Sequence, residues 1–211
     1  MKDIPMFTTP YGVASLILKE IPHRGQAYVH ICSGEDTDLL LEECITFCRM
    51  AGAETVYAAG EGLENYPLYC SVVEMRGNAW VDREKLKNLF PVTEASVSRW
   101  REIYNEKMAG VDNAATLTAF DEKQILSSGG AYFVHDCGKL LGIGWLEDTK
   151  LLAIAAVEKG AGETVAHTLM SMVEYADMTL EVASTNTRAI ALYEKLRFLK
   201  TREITRWHRV K

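Results

Sequence analysis

The chain has no apolar run long enough to cross a bilayer. Its longest, Leu151-Leu152-Ala153-Ile154-Ala155-Ala156-Val157, falls far short of the roughly 20 residues a membrane-spanning helix needs. The opening Met1-Lys2-Asp3-Ile4-Pro5 lacks the apolar core of a signal peptide, so a cytoplasmic protein with no membrane partner is expected. Cysteines are too few and too scattered for a disulfide framework, an odd set of five at Cys32, Cys44, Cys48, Cys70 and Cys137. Cys44 and Cys48 share one face of a predicted helix and read as small packing residues. No Cys or His neighbours complete a tetrahedral set around them, and the five histidines are equally dispersed, so no metal is expected. Positive charge is also short. The formal net charge is −6, and residues 1–82 carry 5 Lys or Arg against 12 Asp or Glu, while 83–211 carry 18 against 17. An acidic first part and a near-neutral second part argue against a nucleic-acid partner.

What the chain does have is material for an ordinary core. With 211 residues, 48% of them hydrophobic, it is long enough for one large domain or two small ones, and disordered and fibrous classes are excluded. The charge step suggests a boundary near residue 82, giving an N-terminal α/β unit (1–82) and a larger domain (83–211).

The larger domain reads as a definite order of elements. Leu86–Phe90 is strand-like, and Val97, Trp100, Ile103 and Tyr104 recur at helical spacing within 95–108. A short helix over 118–126 follows. Strands at 131–135 and 140–146 flank the turn Asp136-Cys137-Gly138-Lys139, a hairpin signal. Leu151–Val157 is apolar throughout, as expected of a central strand covered on both faces. A glycine turn, a helix over 164–176, a strand over 179–183, a helix over 187–196 and a last strand over 198–210 complete it. In the first part, 12–18 and 27–31 read as paired strands, 38–50 as an amphipathic helix and 55–58 as a strand.

One stretch carries chemistry. Leu180-Glu181-Val182-Ala183-Ser184-Thr185-Asn186-Thr187-Arg188-Ala189-Ile190-Ala191-Leu192-Tyr193-Glu194-Lys195-Leu196-Arg197-Phe198 joins a buried strand, a polar turn and an amphipathic helix ending in an aromatic cluster. It resembles the second half of the acyl-CoA site in the GNAT superfamily of N-acetyltransferases: strand, Asn, two residues, Ala, Leu-Tyr and a closing Gly-Phe, with Arg197 in the place of the glycine. The element order over 83–211 is also that of the GNAT fold. The resemblance implies an α/β (α+β) architecture, a mixed, mostly antiparallel sheet flanked by helices, with a smaller N-terminal α/β unit. That unit is either a truncated copy of half such a domain, as in tandem members, or an unrelated extension.

The same resemblance implies a transferase, an acyltransferase moving an acetyl group from acetyl-CoA to a primary amine of a small molecule or peptide. Backbone groups of Ala155, Ala156 and Val157 would hold the pantetheine arm. Amide groups of the turn after them would hold the pyrophosphate, since a helix start offers free N–H groups and a favourable dipole. Two registers fit that turn: Gly160-Ala161-Gly162 as the glycine pair, or Ala161, Thr164 and Ala166 in the family's Gln/Arg, Gly and final small positions. Glu158 and Glu163 bring negative charge close to the phosphates, partly offset by Lys159. Tyr193 would be the general acid toward the departing thiolate. Asn186 would cap its helix, contact the cofactor arm, or both. No general base stands out; Glu147 and Asp148 lie in the preceding turn, and His135 has nothing to set it apart. One strand short at its end, the domain would expose a sheet edge that the N-terminal unit could cover. The alternative is a catalytically degenerate GNAT domain serving as an acyl-CoA-binding or protein-interaction module. Self-association stays open.

Overall fold

The computed structural model describes residues 3–173 and 175–211, and they form two compact units: Met1–Val72 with Glu203–Lys211 (unit 1), and Val73–Arg202 (unit 2). The boundary therefore falls inside a strand, ten residues before the charge step at 82, and the end of the chain belongs to unit 1. No helix among the described residues is long and apolar enough to cross a membrane. No group of three or more His, Cys, Asp or Glu among them is placed to hold a metal.

Unit 1 begins with β1 (Ile4–Thr9), β2 (Gly12–Ile17), a single helical turn α1 (Ile21–Arg24) and β3 (Gln26–Gly34). Helix α2 (Thr37–Met50) follows, capped by the Asp36 carboxylate accepting from Leu39 N, and leads to β4 (Thr55–Ala59). β1, β2 and β3 are antiparallel neighbours, and β3 runs parallel to β4 from Gln26↔Thr55 to His30↔Ala59. Alternation along β3 turns Ala27, Val29 and Ile31 toward the core that α2 completes, while Tyr28 joins Tyr57 and Trp207 in a second cluster. Cys44 and Cys48 are both buried in the α2 core, and burial pushes their thiols up to about 12 and about 11, as for packing residues.

A long strand, β5 (Leu68–Asn78), carries the chain into unit 2. Unit 2 continues with β6 (Asn88–Pro91), α3 (Val97–Met108), α4 (Glu122–Ser128), β7 (Ala131–Asp136), β8 (Lys139–Glu147), β9 (Lys150–Ala156), α5 (Gly162–Met170), β10 (Asp177–Ala183), α6 (Thr187–Lys195) and β11 (Leu199–Arg209). Within unit 2 the strand order is β6-β7-β8-β9-β10, then residues 73–78 of β5, then the start of β11. Its sheet is mostly antiparallel, and the β7–β8 turn places Cys137 and Gly138 at positive φ (48° and 80°), as a tight hairpin requires. α3 and α4 pack on one face, around the fully buried Trp100 and Ile125; α5 and α6 pack on the other.

The exposed edge expected at the end of the larger domain is filled by a strand the sequence reading passed over. Residues 73–78 stand between β10 and β11, and Gly77 allows it: a Cβ there would lie 2.8 Å from Phe198 Cγ. In unit 1 the remainder of β11 lies between β4 and β5, pairing His208↔Ala58 and Arg209↔Tyr57. Unit 1 thus takes strand residues from the far end of the chain, whereas unit 2 is one continuous segment, Val73–Arg202. The short helix predicted at 118–126 forms four residues later, because Asp121 accepts from Thr118 N and Oγ1 and so turns the chain before the helix begins. The helix over 164–176 starts earlier, at Gly162, and gives way after Met170 to a 3₁₀ turn at Ser171–Val173.

Candidate functional site

β9 and β10 run parallel but pair only at Lys150↔Thr179 and Leu151↔Leu180. Beyond Leu151 the two strands part. β9 stays bonded to β8 on its other side, from Trp145↔Ala153 to Gly142↔Ala156. The parting begins at a β-bulge: Trp145 opposes Ala153 but Leu146 opposes Leu151, so Leu152 is the extra residue. Consequently Leu152 and Ala153 both face the α3 side, whereas Leu151 and Ile154 face α5 and α6. The β9 edge toward β10 is therefore left with main-chain donors and acceptors that no strand takes up, beside the buried Ala153, Ala155 and Val182. Such groups in an interior call for a partner.

At the end of this cleft stands the start of α5. The chain leaves β9 with Val157 N and Glu158 N both donating to Leu141 O, then turns through Gly160 at φ 85°. Ala161 N donates to Glu158 O, and Val165 N donates to Ala161 O as the first helical bond. No side chain caps the helix, so the N–H groups of Gly162, Glu163 and Thr164 point out from its first turn. α5 lies unusually close to the sheet, because Cβ atoms at Gly142 and Gly144 would meet Val165 and Leu169 side chains at 2.8 and 2.1 Å. Of the two turn registers, Gly160-Ala161-Gly162 places small residues at the helix start. Thr164 and Ala166 lie within the helix, the first accepting from Thr168 Oγ1 through its carbonyl and the second buried in the core.

The two acidic residues flanking the turn are both neutralised. Glu163 is held between Lys85, 2.6 Å away, and Lys195 of α6, which keep its carboxyl down at about 2. Glu158 pairs with Lys139 at 2.8 Å, and Lys159 is exposed. The segment bringing in Lys85 is tied along α5. Asp82 N donates to His167 Nδ1 at 3.3 Å, Lys87 N donates to Thr168 Oγ1 at 3.2 Å, and burial lowers the His167 pKa, so its ring remains a neutral acceptor. Lys85, Lys195 and this strap were absent from the sequence reading, since no local pattern marks a lysine 78 residues from its partner.

Tyr193 projects from α6 into the same core as Val165, Ile190 and Phe198 and is 7% exposed. Burial raises its pKa, and its hydroxyl finds no hydrogen-bond partner among the described residues. Its position is fixed by how α6 ends. Phe198 N donates to Tyr193 O at 2.9 Å and Arg197 N donates to Glu194 O at 3.0 Å, the paired bonds of a Schellman turn. The turn demands a left-handed residue, and Arg197 supplies it at φ 68°, where glycine is usual, with its guanidinium 5.3 Å over the Trp80 ring. The Tyr193 and Phe198 rings meet at 6.2 Å. At the other end of α6, Asn186 Oδ1 accepts from Ala189 N at 3.2 Å, so its side chain serves as the cap.

Ala155, Ala156 and Val157 thus lie on the parted strand, Gly160, Ala161 and Gly162 at the helix start, and Tyr193 on the helix that packs beside it, where a Gly162 Cβ would touch Leu192. Glu147 and Asp148 occupy the β8–β9 turn, at the end of β9 still paired to β10. His135 lies on β7 against Phe90 and Phe133.

This fold is that of the GCN5-related N-acetyltransferases. An acetyltransferase described as putative from Pyrococcus horikoshii matches with a TM-score of 0.60 at 13% identity, over 94% of this chain and 69% of that one. A GCN5-related N-acetyltransferase from Sphaerobacter thermophilus matches with a TM-score of 0.56 at 11% identity, over 94% and 76%. A GNAT-family acetyltransferase from Colwellia psychrerythraea matches with a TM-score of 0.52 at 12% identity, over 97% and 84%. No family model and no curated protein sequence matches the chain.

Proposed function

We propose that unit 2 binds acetyl-CoA between β9 and β10 and transfers its acetyl group to a primary amine. The observation that carries this is the parting of the two strands after Leu151↔Leu180, which leaves a main-chain edge ending at an uncapped helix N-terminus. An extended amide-bearing arm matches that edge, using the backbone of Leu152 to Val157 whatever the side chains are. A pyrophosphate matches the N–H groups of Gly162, Glu163 and Thr164. Because Lys85 and Lys195 neutralise Glu163, and Lys139 neutralises Glu158, these carboxylates oppose an anion far less than their sequence positions suggest.

Bound acetyl-CoA supplies the activated thioester. Tyr193 holds a proton on its hydroxyl throughout the neutral range, because burial disfavours the phenolate, and the hydroxyl has no partner to release. In this reading it donates that proton to the departing thiolate, as a general acid. Asn186 acts indirectly, by fixing the start of the helix that carries Tyr193. The acceptor is a small-molecule or peptide amine.

The test is calorimetric titration of the full chain with acetyl-CoA, followed by a screen of amines for free-thiol release. One-to-one saturable binding is expected, with thermal stabilisation of about 2.7 kcal/mol at 100 times the dissociation constant. Absence of heat and of thermal shift at millimolar acetyl-CoA would refute the proposal. Binding without turnover on any amine would leave an acyl-CoA-binding module.

A further inference from the structure

Unit 1 differs from unit 2 in how the strand after the parallel crossover continues. In unit 2, α6 joins β10 to β11; in unit 1 only residues 60–67 join β4 to β5, turning at Gly60 and Gly62 with φ 133° and 80°. A hollow of about 660 Å³ lies there, walled by the end of β4, this connection and residues 204–208 of β11. That volume is typical of small-molecule sites.

We propose that the hollow is a binding site for an aliphatic amine carrying one or two ammonium groups. Its wall holds two carboxylates, Glu61 and Glu64, for which no ion-pair or hydrogen-bond partner exists among the described residues. The one arginine on the wall, Arg206, is already committed: its Nε pairs with Glu203, which Ser71 also holds. His208 Nδ1 lies 2.9 Å from Tyr66 O, and a carbonyl only accepts, so Nδ1 carries a proton and donates to it. Leu63 is buried beneath, and Leu68 and Ile204 stand 56% and 41% exposed on the rim, giving aliphatic surface for a hydrocarbon chain. Free negative charge beside aliphatic walls suits an alkylammonium and repels carboxylates and phosphates. Two carboxylates favour a diamine over a monoamine.

The test is amide and imidazole NMR of the isotope-labelled full chain, titrated with 1,4-diaminobutane and, separately, with the uncharged 1,4-butanediol to 10 mM. Expected are saturable shifts at Gly60, Gly62 and the His208 ring with the diamine, none with the diol, and weaker binding as salt is raised from about 20 to 200 mM. Replacement of one carboxylate, Glu64→Gln, is expected to weaken binding about fivefold, and Glu61→Gln with Glu64→Gln to abolish it. Both side chains are exposed, so the folded spectrum elsewhere should persist; if the double variant fails to fold, the single variant still gives the reading. Absence of saturable shifts, shifts confined to unit 2, equal response to the diol, or binding unchanged by Glu64→Gln would each overturn the proposal. These readouts lie wholly in unit 1 and stand or fall apart from acetyl-CoA binding.

Discussion

Replacing Tyr193 by phenylalanine separates a catalytic phenol from a packing ring, because it deletes only the hydroxyl. The ring is wedged in the α6 core against Phe198 at 6.2 Å and is 7% exposed, so its hydrophobic contribution is kept. The hydroxyl makes no hydrogen bond among the described residues, so removing it breaks none. The hydroxyl is not among the fully buried polar atoms left without a hydrogen bond, which among the described residues are Arg101 Nε and Trp207 Nε1, so its removal returns no desolvation penalty. Tyr193→Phe is therefore expected to match the parent in stability within about 1 kcal/mol, or about 2–4 °C for a chain of this length. Binding of acetyl-CoA, resting on backbone groups, should be unchanged within about twofold. Turnover should fall about 10²- to 10⁴-fold, the range for loss of a general acid. The assays are differential scanning calorimetry, acetyl-CoA titration and thiol release on one protein preparation. Turnover within threefold of the parent would refute the acid role; destabilisation by more than 1 kcal/mol would refute the idle hydroxyl.

Substitutions at three further positions test the supports of the site. Gly77→Ala drives a Cβ to 2.8 Å from Phe198 Cγ and 3.0 Å from its Cα; overpacking of this kind costs about 1–3 kcal/mol, read as a drop in thermal midpoint with loss of turnover. Arg197→Gly relieves a left-handed residue, worth about 1 kcal/mol, but loses the stacking on Trp80, worth about 0.5–1 kcal/mol at a half-exposed ring, so urea unfolding should move little. Arg197→Ala keeps the strain and loses the contact, and should be the least stable of the three; an alanine variant more stable than the glycine one would contradict this. Glu163→Gln should cost about 1 kcal/mol at pH 7, after allowance for solvent screening of a partly exposed group. With the carboxyl depressed to about 2 from its usual 4.5, its contribution is complete above pH 4.5 and is lost as pH falls toward 2. The gap between parent and variant should close over that window in denaturant titrations.

Much of unit 2 was legible because its elements declare themselves locally. The hairpin at Cys137-Gly138, the all-apolar β9 and the capped, amphipathic α6 each carry their own periodicity and punctuation. β5 was missed although Leu68–Asn78 follows a proline and contains β-branched and aromatic residues, because Ser71, Glu74 and Arg76 interrupt any simple apolar pattern. Those residues are polar for a reason found only in three dimensions: Glu74 accepts from Thr201 Oγ1 at 2.9 Å and pairs with Arg202 at 3.0 Å, far along the chain. The charge step at residue 82 likewise marked composition and not packing, since unit 1 is completed by Glu203–Lys211 and so has no single cut point in sequence. Glu163 read as an obstacle to phosphates for the same reason, its two lysines being remote.

The replacement of glycine by Arg197 shows what the motif requires physically. What the Leu-Tyr to Phe segment builds is a Schellman turn, in which the Phe198 amide clasps the Tyr193 carbonyl while the two rings touch across it. Glycine reaches the left-handed position without strain, yet an arginine reaches it too when its guanidinium can lie over Trp80 and recover a comparable energy. The parted strands follow the same logic. An open β9 edge inside the fold is unfavourable by itself, and it persists because β8 holds the opposite edge, the bulge at Leu152 re-aims the strand, and Gly142 and Gly144 let α5 clamp it from above. A cleft held open by three independent supports does not depend on any one side chain within it, so removing one support, for example by Gly144→Ala against Leu169, should close or distort it without altering a residue of β9.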